Sequence, residues 1–237
     1  LLAHFPKITS KLYCEIMGAF SNLDNVWRVE FDDLKKLGWK DELINEFLLW
    51  RDTIDEEKIK QPLEKEQIEC IPVADSDYPP LLKEIYDPPI CLFVRCNIKN
   101  IANPLAVVGP RKYSIYGKQI TEEIVPKLAQ CNVTIISGLA MGIDGIAHNA
   151  TLQVGGRTIA VLGSGINKDN IYPACHKQLA ERILSSGGAL ISEYPPGTEP
   201  NVFTFPRRNR IVAGMSIGTL VIEATEDSGA LITAQFA

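Results

Sequence analysis

The amino-acid sequence predicts an α/β protein, in which a small all-helical domain precedes a parallel sheet covered by helices on both faces. From residue 105 onward, short apolar runs rich in β-branched residues alternate with stretches of helical periodicity. Before residue 60, apolar residues recur at intervals of three and four, without such runs. Continuous apolar strands that are each followed by a helix are typical of a parallel sheet buried on both faces.

The helical domain is predicted from two periodic stretches between residues 26 and 48. Their apolar positions are Val26, Val29, Leu34 and Leu37, then Leu43, Ile44, Phe47 and Leu48. Gly38 lies between the two stretches, where the end of a helix favours glycine. The charged segment TIDEEKIKQPLEKEQIE follows and is interrupted by Pro62, which indicates a helix end and a connection. We therefore expect domains at 1–62 and 66–237.

Five strands are predicted in the second domain, and each is followed by a predicted helix. They lie at 105–109, 133–138, 158–163, 189–194 and 219–224. Because crossover connections between parallel strands are right-handed, the strands are expected to form a doubly wound, Rossmann-like sheet. Ahead of them, ECIPVA, YPPLLKEI and ICLFVR predict an added strand–helix–strand unit.

Composition narrows the class of protein. Hydrophobic residues make up 46% and charged residues 22%, as in ordinary globular proteins, and no apolar run is long enough for a membrane helix. No signal peptide is recognisable, so a cytoplasmic protein without a membrane partner is expected. The six cysteines are scattered without a CxxC pair, which favours reduced thiols and neither a metal site nor a bound cofactor. The absence of an initiating Met and the end inside a predicted helix suggest a fragment.

Charge is distributed unevenly along the chain, whose net charge is −5. Residues 1–70 hold 10 lysines and arginines against 15 aspartates and glutamates, whereas residues 71–237 hold 14 of each. Within this neutral part, Arg207, Arg208 and Arg210 form a compact basic cluster. The balance argues against a protein that coats nucleic acid by net charge, and favours a local phosphate site.

Candidate binding residues follow the carboxyl ends of the predicted strands, where open α/β sheets bind ligands. Glycines allow close approach of the backbone to a phosphate, and helix N-termini and arginines supply donors. An aromatic ring beside such charges suits an unpaired base. The candidates are Gly109, Arg111, Ser137, Gly138, Gly163, Gly165, Lys168, Phe205, Arg207, Arg208, Asn209 and Arg210. One of the three clustered arginines is expected to pair internally, with Glu193 or Glu223.

Support for catalysis is weak, and no catalytic residue is assigned. The sequence has no GK[ST] phosphate loop and no G-x-G-x-x-G fingerprint. Its one G-x-S-x-G match, at 214–218, follows a predicted helix and precedes a predicted strand, the reverse of a nucleophile elbow. Asp144 and His148 lie four residues apart, and a helix cap with a packed histidine is favoured over an acid–base or ligand pair. Carboxylates near strand ends leave glycosidic hydrolysis open, namely Glu193, Glu223, Glu226 and Asp227.

Five stretches of the second domain resemble a known family. They are VVGPRKYSIYG, SGLAMGIDGIAHNATL, TIAVLGSGINKDNIYP, LISEYPPGTEPNVFTFPRRNRIVAG and VIEATEDSGALITA. Together they cover roughly residues 104–237 and resemble the DprA/Smf family, the DNA-processing factor A of natural transformation. Residues 8–50 are more weakly similar to the family's small helical domain, which is related to SAM and helix-hairpin-helix modules. This weaker likeness depends on IMGAFSNLDNVW and DDLKKLGW.

The resemblance implies a non-enzymatic homodimer that binds single-stranded DNA, protects incoming strands and helps to load the RecA recombinase. Arg111 matches the phosphate-contacting arginine of the family's G-[ST]-R loop, and Ser137 with Gly138 matches its S-G turn. Phe205 and the run Arg208–Asn209–Arg210 match the FPxRNR segment, where Arg207 takes the variable position.

Two departures from the family pattern affect these expectations. Pro110 stands where the family has Ser or Thr, which removes a hydroxyl and a backbone donor. The sequence also ends before the family's last strand and before the winged-helix domain that many members carry.

A related group of Rossmann enzymes, the cytokinin-activating phosphoribohydrolases, is the alternative. Their motif is PGGxGTxxE, and the equivalent stretch here is AGMSIGTLVIEA. Gly218 and Thr219 fit the motif, but the paired glycines are absent, and Glu223 lies one position beyond the motif's glutamate.

Overall fold

The computed structural model describes residues 1–20, 23–224 and 228–237. The chain divides into two compact units, Leu1–Gln61 and Pro62–Ala237. The domain limits expected from the sequence stay a prediction, because compactness alone does not show that a unit folds independently. Ser21 and Asn22, part of the stretch that carries the N-terminal resemblance, lie outside the described residues.

The first unit is helical, as predicted. Its helices are α1 (Ser10–Ala19), α2 (Leu23–Val26), α3 (Phe31–Lys36) and α4 (Asp41–Thr53), and α5 (Glu56–Lys65) starts in it. Gly38, just beyond α3, has a φ of +85°, a conformation that glycine adopts without strain. Pro62 lies inside α5, which continues to Lys65, so the expected helix end falls within this charged segment but not at the proline.

The apolar centre of the first unit is aromatic. Phe47 is fully buried and lies edge-on to Phe5 and to Trp39, with ring centroids 5.4 and 5.7 Å apart. Buried Ile16 and Leu34 extend this core. The periodic apolar positions of α3 and α4 therefore face one another, as amphipathic helices require.

The second unit contains one seven-stranded sheet. Its strands are β1 (Ile68–Pro72), β2 (Cys91–Cys96), β3 (Leu105–Val108), β4 (Ile135–Ser137), β5 (Thr158–Val161), β6 (Ala189–Ser192) and β7 (Gly218–Val221), in the order β1-β2-β6-β5-β4-β3-β7. The five predicted strands are confirmed and run parallel as β6-β5-β4-β3-β7. The added unit is also confirmed. Its strand β2 pairs antiparallel with β6, and β1 pairs antiparallel with β2 at the edge of the sheet.

Helices cover both faces of this sheet because successive strand residues point to opposite sides. Val107 packs on the side of α7 (Ile115–Gln130) and α8 (Ile143–Gln153). Its neighbours Ala106 and Val108 pack on the other side. That side holds α6 (Pro80–Lys83), α10 (Thr204–Gly214) and α11 (Gly229–Phe236), and α9 (Lys177–Ser185) lies against α8. The predicted doubly wound α/β class is therefore confirmed.

The order of the strands reverses at β3. The chain passes from β3 through β4 and β5 to β6 on one side, and returns to place β7 on the other side of β3. The loops that leave β3 and β7 consequently diverge to opposite faces. Such a switch point forms a crevice at the carboxyl ends of the strands, where α/β proteins bind ligands.

Candidate nucleic-acid interface

A cleft of about 660 Å³ lies at this switch point. The loop after β3 forms one wall, and the first turns of α10 and α11 form the others. The lining residues are Val108, Gly109, Pro110, Arg111, Lys112, Ala140, Asp144, Tyr172, Val202, Phe205, Pro206, Arg208, Asn209, Ser228, Gly229, Ala230, Ile232 and Thr233. The structure thus brings together Gly109, Arg111, Phe205, Arg208 and Asn209 of the predicted site.

Arg111 supplies an exposed positive charge in the cleft. Its guanidinium carbon lies 5.4 Å from the centre of the Phe205 ring, a cation–π contact. Among the described residues no carboxylate forms an ion pair with it. The ring of Tyr172 lies on Phe205 as well, with centroids 5.4 Å apart and planes inclined by 32°. Arg111, Phe205 and Tyr172 therefore form one cluster, called here the cleft cluster.

Arg208 is buried at the base of the cleft, with 5% of its surface exposed. Its Nη1 donates to the carbonyl oxygens of Gly138 and Val161, and its Nε donates to Asn209 Oδ1 over 3.1 Å. Burial lowers the pKa of this guanidinium, although arginine remains charged at neutral pH. Arg208 ties together the ends of β4 and β5 and gives the cleft floor a fixed positive charge.

Gly138 is required by this arrangement. A Cβ built on it would overlap the guanidinium of Arg208, so only glycine leaves room for that side chain. Its amide donates to Asp144 Oδ2 over 3.1 Å. Ser137, also a predicted site residue, is buried, and its hydroxyl donates to the Val107 carbonyl over 2.6 Å.

Asp144 and His148 brace the protein interior. Asp144 Oδ2 accepts from the amides of Gly138 and Ala140, and burial raises the pKa of this carboxyl despite the nearby charge of Arg208. His148 Nδ1 bonds Thr158 Oγ1 at 2.7 Å, and burial lowers the pKa of this imidazole to about 3. Asp144 braces the loop after β4 from inside α8, whose N-cap is Gly142, so the predicted helix cap is wrong. The predicted packed histidine is confirmed.

Two amides of the predicted glycine cradle are committed to partners within the protein. The amide of Gly138 is donated to Asp144, and that of Gly165 to the Thr198 carbonyl over 2.9 Å, so neither is available to a phosphate. A Cβ on Gly109 would lie 2.5 Å from Ile143 Cγ1, and one on Gly163 would lie 2.9 Å from Phe205 Cδ1. These glycines allow close packing of neighbouring side chains and backbone.

The N-terminus of α7 is also occupied. Ser114 Oγ accepts from the Gly117 amide over 2.9 Å, and the same hydroxyl donates to Glu223 Oε2 over 2.6 Å. The Ser114 amide donates to Glu223 Oε1 over 2.7 Å. Glu223 is thus committed to the start of α7, and the Ser114 and Gly117 amides at this helix end are not available to a phosphate. Glu226 and Asp227 lie outside the described residues.

Arg210 has an internal role. Its Nη1 and Nη2 donate to the two carboxylate oxygens of Glu193 over 2.8 and 2.7 Å, and its Nε bonds Asp87. The side chains of Arg210 and Glu193 are 7% and 9% exposed. This confirms that one clustered arginine pairs with Glu193, and it leaves Arg210 without a guanidinium face for the predicted DNA contact.

Two further predicted residues lie outside the cleft. Arg207 is exposed, with its Nε 3.9 Å from Glu193 Oε2, and does not line the cleft. Lys168 is exposed in a separate open groove, beside Lys177 and Arg182. Asn209 does line the cleft, and its Nδ2 donates to the Gly229 carbonyl over 3.2 Å.

The sequence interpretation missed Lys112, Tyr172 and Val202, which all line the cleft. Lys112 directly follows Arg111, and its charge was the available signal. The signal for Tyr172 was an aromatic residue in the glycine-bounded loop after β5. Val202 had none, because an exposed valine beside a helix start is unremarkable in sequence.

Residues 69–237 match the family described as DNA recombination-mediator protein A. The chain belongs to this family. Protein Smf of Escherichia coli (strain K12) is 47% identical over 176 residues, which are 74% of this chain and 46% of that protein. DNA processing protein DprA of Bacillus subtilis (strain 168) is 40% identical over 169 residues, 70% of this chain and 56% of that protein.

Two solved structures of DNA processing protein A resemble the fold. The protein from Streptococcus pneumoniae is 34% identical with a TM-score of 0.82, and the match covers 98% of this chain and 80% of that chain. The protein from Helicobacter pylori is 26% identical with a TM-score of 0.64, and the match covers 72% of this chain and 76% of that chain. The description of that structure refers to the single-stranded DNA binding mode of the Helicobacter pylori protein. The family resemblance seen in the sequence is confirmed.

The chain spans about half the length of the curated relatives it matches. Among the helices of the described residues, none has the length and apolar character needed to cross a membrane. Within the same residues, no group of three or more histidine, cysteine or acidic side chains is placed to hold a metal ion.

Proposed function

We propose that this protein binds single-stranded DNA, with a backbone phosphate held at Arg111 in the cleft. The observation that carries the proposal is an exposed guanidinium without a carboxylate partner among the described residues, resting on an aromatic ring in the switch-point cleft. Phosphate oxygens are bound bidentately by arginine, and aromatic rings beside them accommodate bases. Membership of the DNA recombination-mediator family supports DNA as the ligand.

The charges around the cleft support a phosphate more than a neutral ligand. Arg111 and Lys112 lie at the cleft wall and Arg208 lies beneath them, whereas Asp144 is the one carboxylate among the described lining residues. Asp144 is buried, and its Oδ2 accepts hydrogen bonds from two backbone amides. The net charge of the described lining is therefore positive, although the protein as a whole is acidic.

The wider role is proposed from family membership and the sequence resemblance. The protein would protect incoming single strands and help to load the RecA recombinase during natural transformation, as a cytoplasmic homodimer and without catalysis. The phosphoribohydrolase alternative needs Glu223 as a reacting group, and that carboxylate is instead bonded twice to Ser114. No contact among the described residues favours the enzyme.

Arg111→Ala tests the proposal against the matched control Arg207→Ala. Both changes remove one exposed arginine, but Arg207 lies outside the cleft. Binding of a fluorescent oligo-dT is measured across a salt series. Arg111→Ala is expected to weaken binding by about tenfold and to lower the salt slope by roughly one contact, and Arg207→Ala should change neither by much.

Three results distinguish a defined phosphate site in the cleft from general electrostatic attraction. Equal losses in the two variants would show general electrostatic attraction without a defined site. Unchanged affinity in Arg111→Ala would refute the cleft as the binding site. Arg111→Lys keeps the charge and loses the bidentate fork, so intermediate affinity is expected from it.

A further inference from the structure

The aromatic residue that the sequence assigned to base stacking is already enclosed. Phe205 is half-buried, with the Arg111 guanidinium over its ring and the Tyr172 ring inclined against it. Backbone also closes on it, since a Cβ on Gly163 would lie 2.9 Å from Phe205 Cδ1. Stacking of a base on Phe205 would therefore require displacement of a neighbour that the fold places there.

Tyr172 differs from Phe205 because 45% of its surface is exposed, and it lines the cleft. It is an outer member of the cleft cluster, with Phe205 beside it and solvent over the remainder. Val202, 72% exposed, lines the same cleft. An exposed ring and an exposed aliphatic side chain beside a phosphate-binding arginine together offer apolar surface for the flat face of a base.

The loop that carries Tyr172 is anchored on both sides of the ring. Ile171 and Pro173 are buried, so the backbone on either side of Tyr172 is held in the protein. Ser164 Oγ donates to the Asn170 carbonyl over 2.8 Å, and Asn170 Nδ2 donates to Glu199 over 3.0 Å. An aromatic ring on an anchored loop loses little conformational freedom when a ligand binds, which favours its use as a contact surface.

We propose that Tyr172 stacks on an unpaired base of the strand whose phosphate lies at Arg111, and thereby selects single-stranded over double-stranded DNA. The inference rests on the proposed function of the cleft. In a duplex, both faces of an internal base are covered by its neighbours, so the ring has no face to meet. A single strand can turn a base out of its stack towards the ring. Arg111 supplies sequence-independent attraction, and Tyr172 supplies the preference for unpaired DNA.

The test compares Tyr172→Ala and Tyr172→Phe with Tyr86→Ala in the full chain. Tyr86 is a fully exposed tyrosine that does not line the cleft, so its removal controls for loss of a surface ring. The probes are oligo-dT, an abasic oligonucleotide of equal length with the same phosphates, and a duplex of equal length. Affinities are measured for each protein at one salt concentration.

Tyr172→Ala is expected to weaken oligo-dT binding by about tenfold, within the range of a lost base–aromatic stack. Tyr172→Phe and Tyr86→Ala should bind within about twofold of the unchanged protein, since both keep the ring at 172. The abasic strand should bind the unchanged protein and Tyr172→Ala alike, because one partner of the stack is missing in either case. Duplex binding should not respond to the substitution.

Two results would overturn the inference. The first is unchanged oligo-dT affinity in Tyr172→Ala. The second is a loss of equal size on oligo-dT and on the abasic strand, because the ring would then act through the cleft's shape and not through bases. If Tyr172→Ala fails to fold, the unchanged protein is tested alone with the oligo-dT and abasic strands. Equal affinity for the two strands excludes a base contact and overturns the inference. Failure of the proposed function has a separate signature, namely no effect of Arg111→Ala.

Discussion

Replacement of Arg210 by alanine is expected to destabilise the second unit and to leave its DNA affinity unchanged. The side chain forms two hydrogen bonds to Glu193, over 2.8 and 2.7 Å, and a further ion pair of 3.2 Å with Asp87. The Glu193 side chain is only 9% exposed, so Arg210→Ala removes both close hydrogen bonds to a buried carboxylate and leaves it only the exposed Arg207, 3.9 Å away. Removing one partner of a buried pair costs about 3–5 kcal/mol.

This loss of stability should be measurable as a lower melting temperature. For a unit of this size, each kcal/mol lowers the melting temperature by about 2–4 °C, so a fall of about 6–20 °C is expected. Thermal unfolding is followed by far-UV circular dichroism, and oligo-dT affinity is measured well below the melting transition. The double variant Arg210→Met with Glu193→Gln removes both charges and should recover part of the loss.

The reasoning would be refuted by an Arg210→Ala protein that melts like the unchanged protein but binds oligo-dT weakly. That result would restore the DNA contact predicted from the sequence. If Arg210→Ala loses stability but keeps its full affinity for oligo-dT, Arg210 has a structural role and Arg111 a binding role. Both residues belong to stretches that match the family.

Two further predictions concern buried residues of the second unit. Gly138→Ala places a methyl group in the space of the Arg208 guanidinium, so stability should fall by about 1–3 kcal/mol in urea unfolding. Gly229→Ala should be neutral, because a Cβ there meets no atom of the described residues within 4 Å, and equal effects of the two substitutions would contradict the packing argument. Burial lowers the pKa of the His148 imidazole to about 3 in the folded protein, from about 6.5 in the unfolded chain. Because the unfolded chain then binds more protons as pH falls below 6.5, His148 should lower stability by about 2 kcal/mol between pH 7 and pH 5. His148→Gln should remove that part of the pH dependence, and an unchanged slope would refute a neutral buried histidine.

The sequence by itself determined the secondary elements and their class. Apolar, β-branched runs such as 105–108 and 158–161 specify buried strands through local chemistry, because every residue of such a strand faces a covering helix. Helical periods specified the first unit for the same local reason. The sequence also placed Arg111 and Phe205 at strand ends, where parallel topology gathers ligand-binding residues.

Tertiary structure decided which of those residues remain available to a ligand. Strand order brings Glu223 to Ser114 across 109 positions, and brings Arg208 to Gly138 across 70, and no local pattern encodes either approach. The sequence indicated that one clustered arginine would pair with a glutamate, but only the direction of each side chain from α10 assigned Arg210 to that pair and Arg208 to the strand ends. Helical side chains one or two positions apart point in different directions, so burial separates residues that are adjacent in sequence.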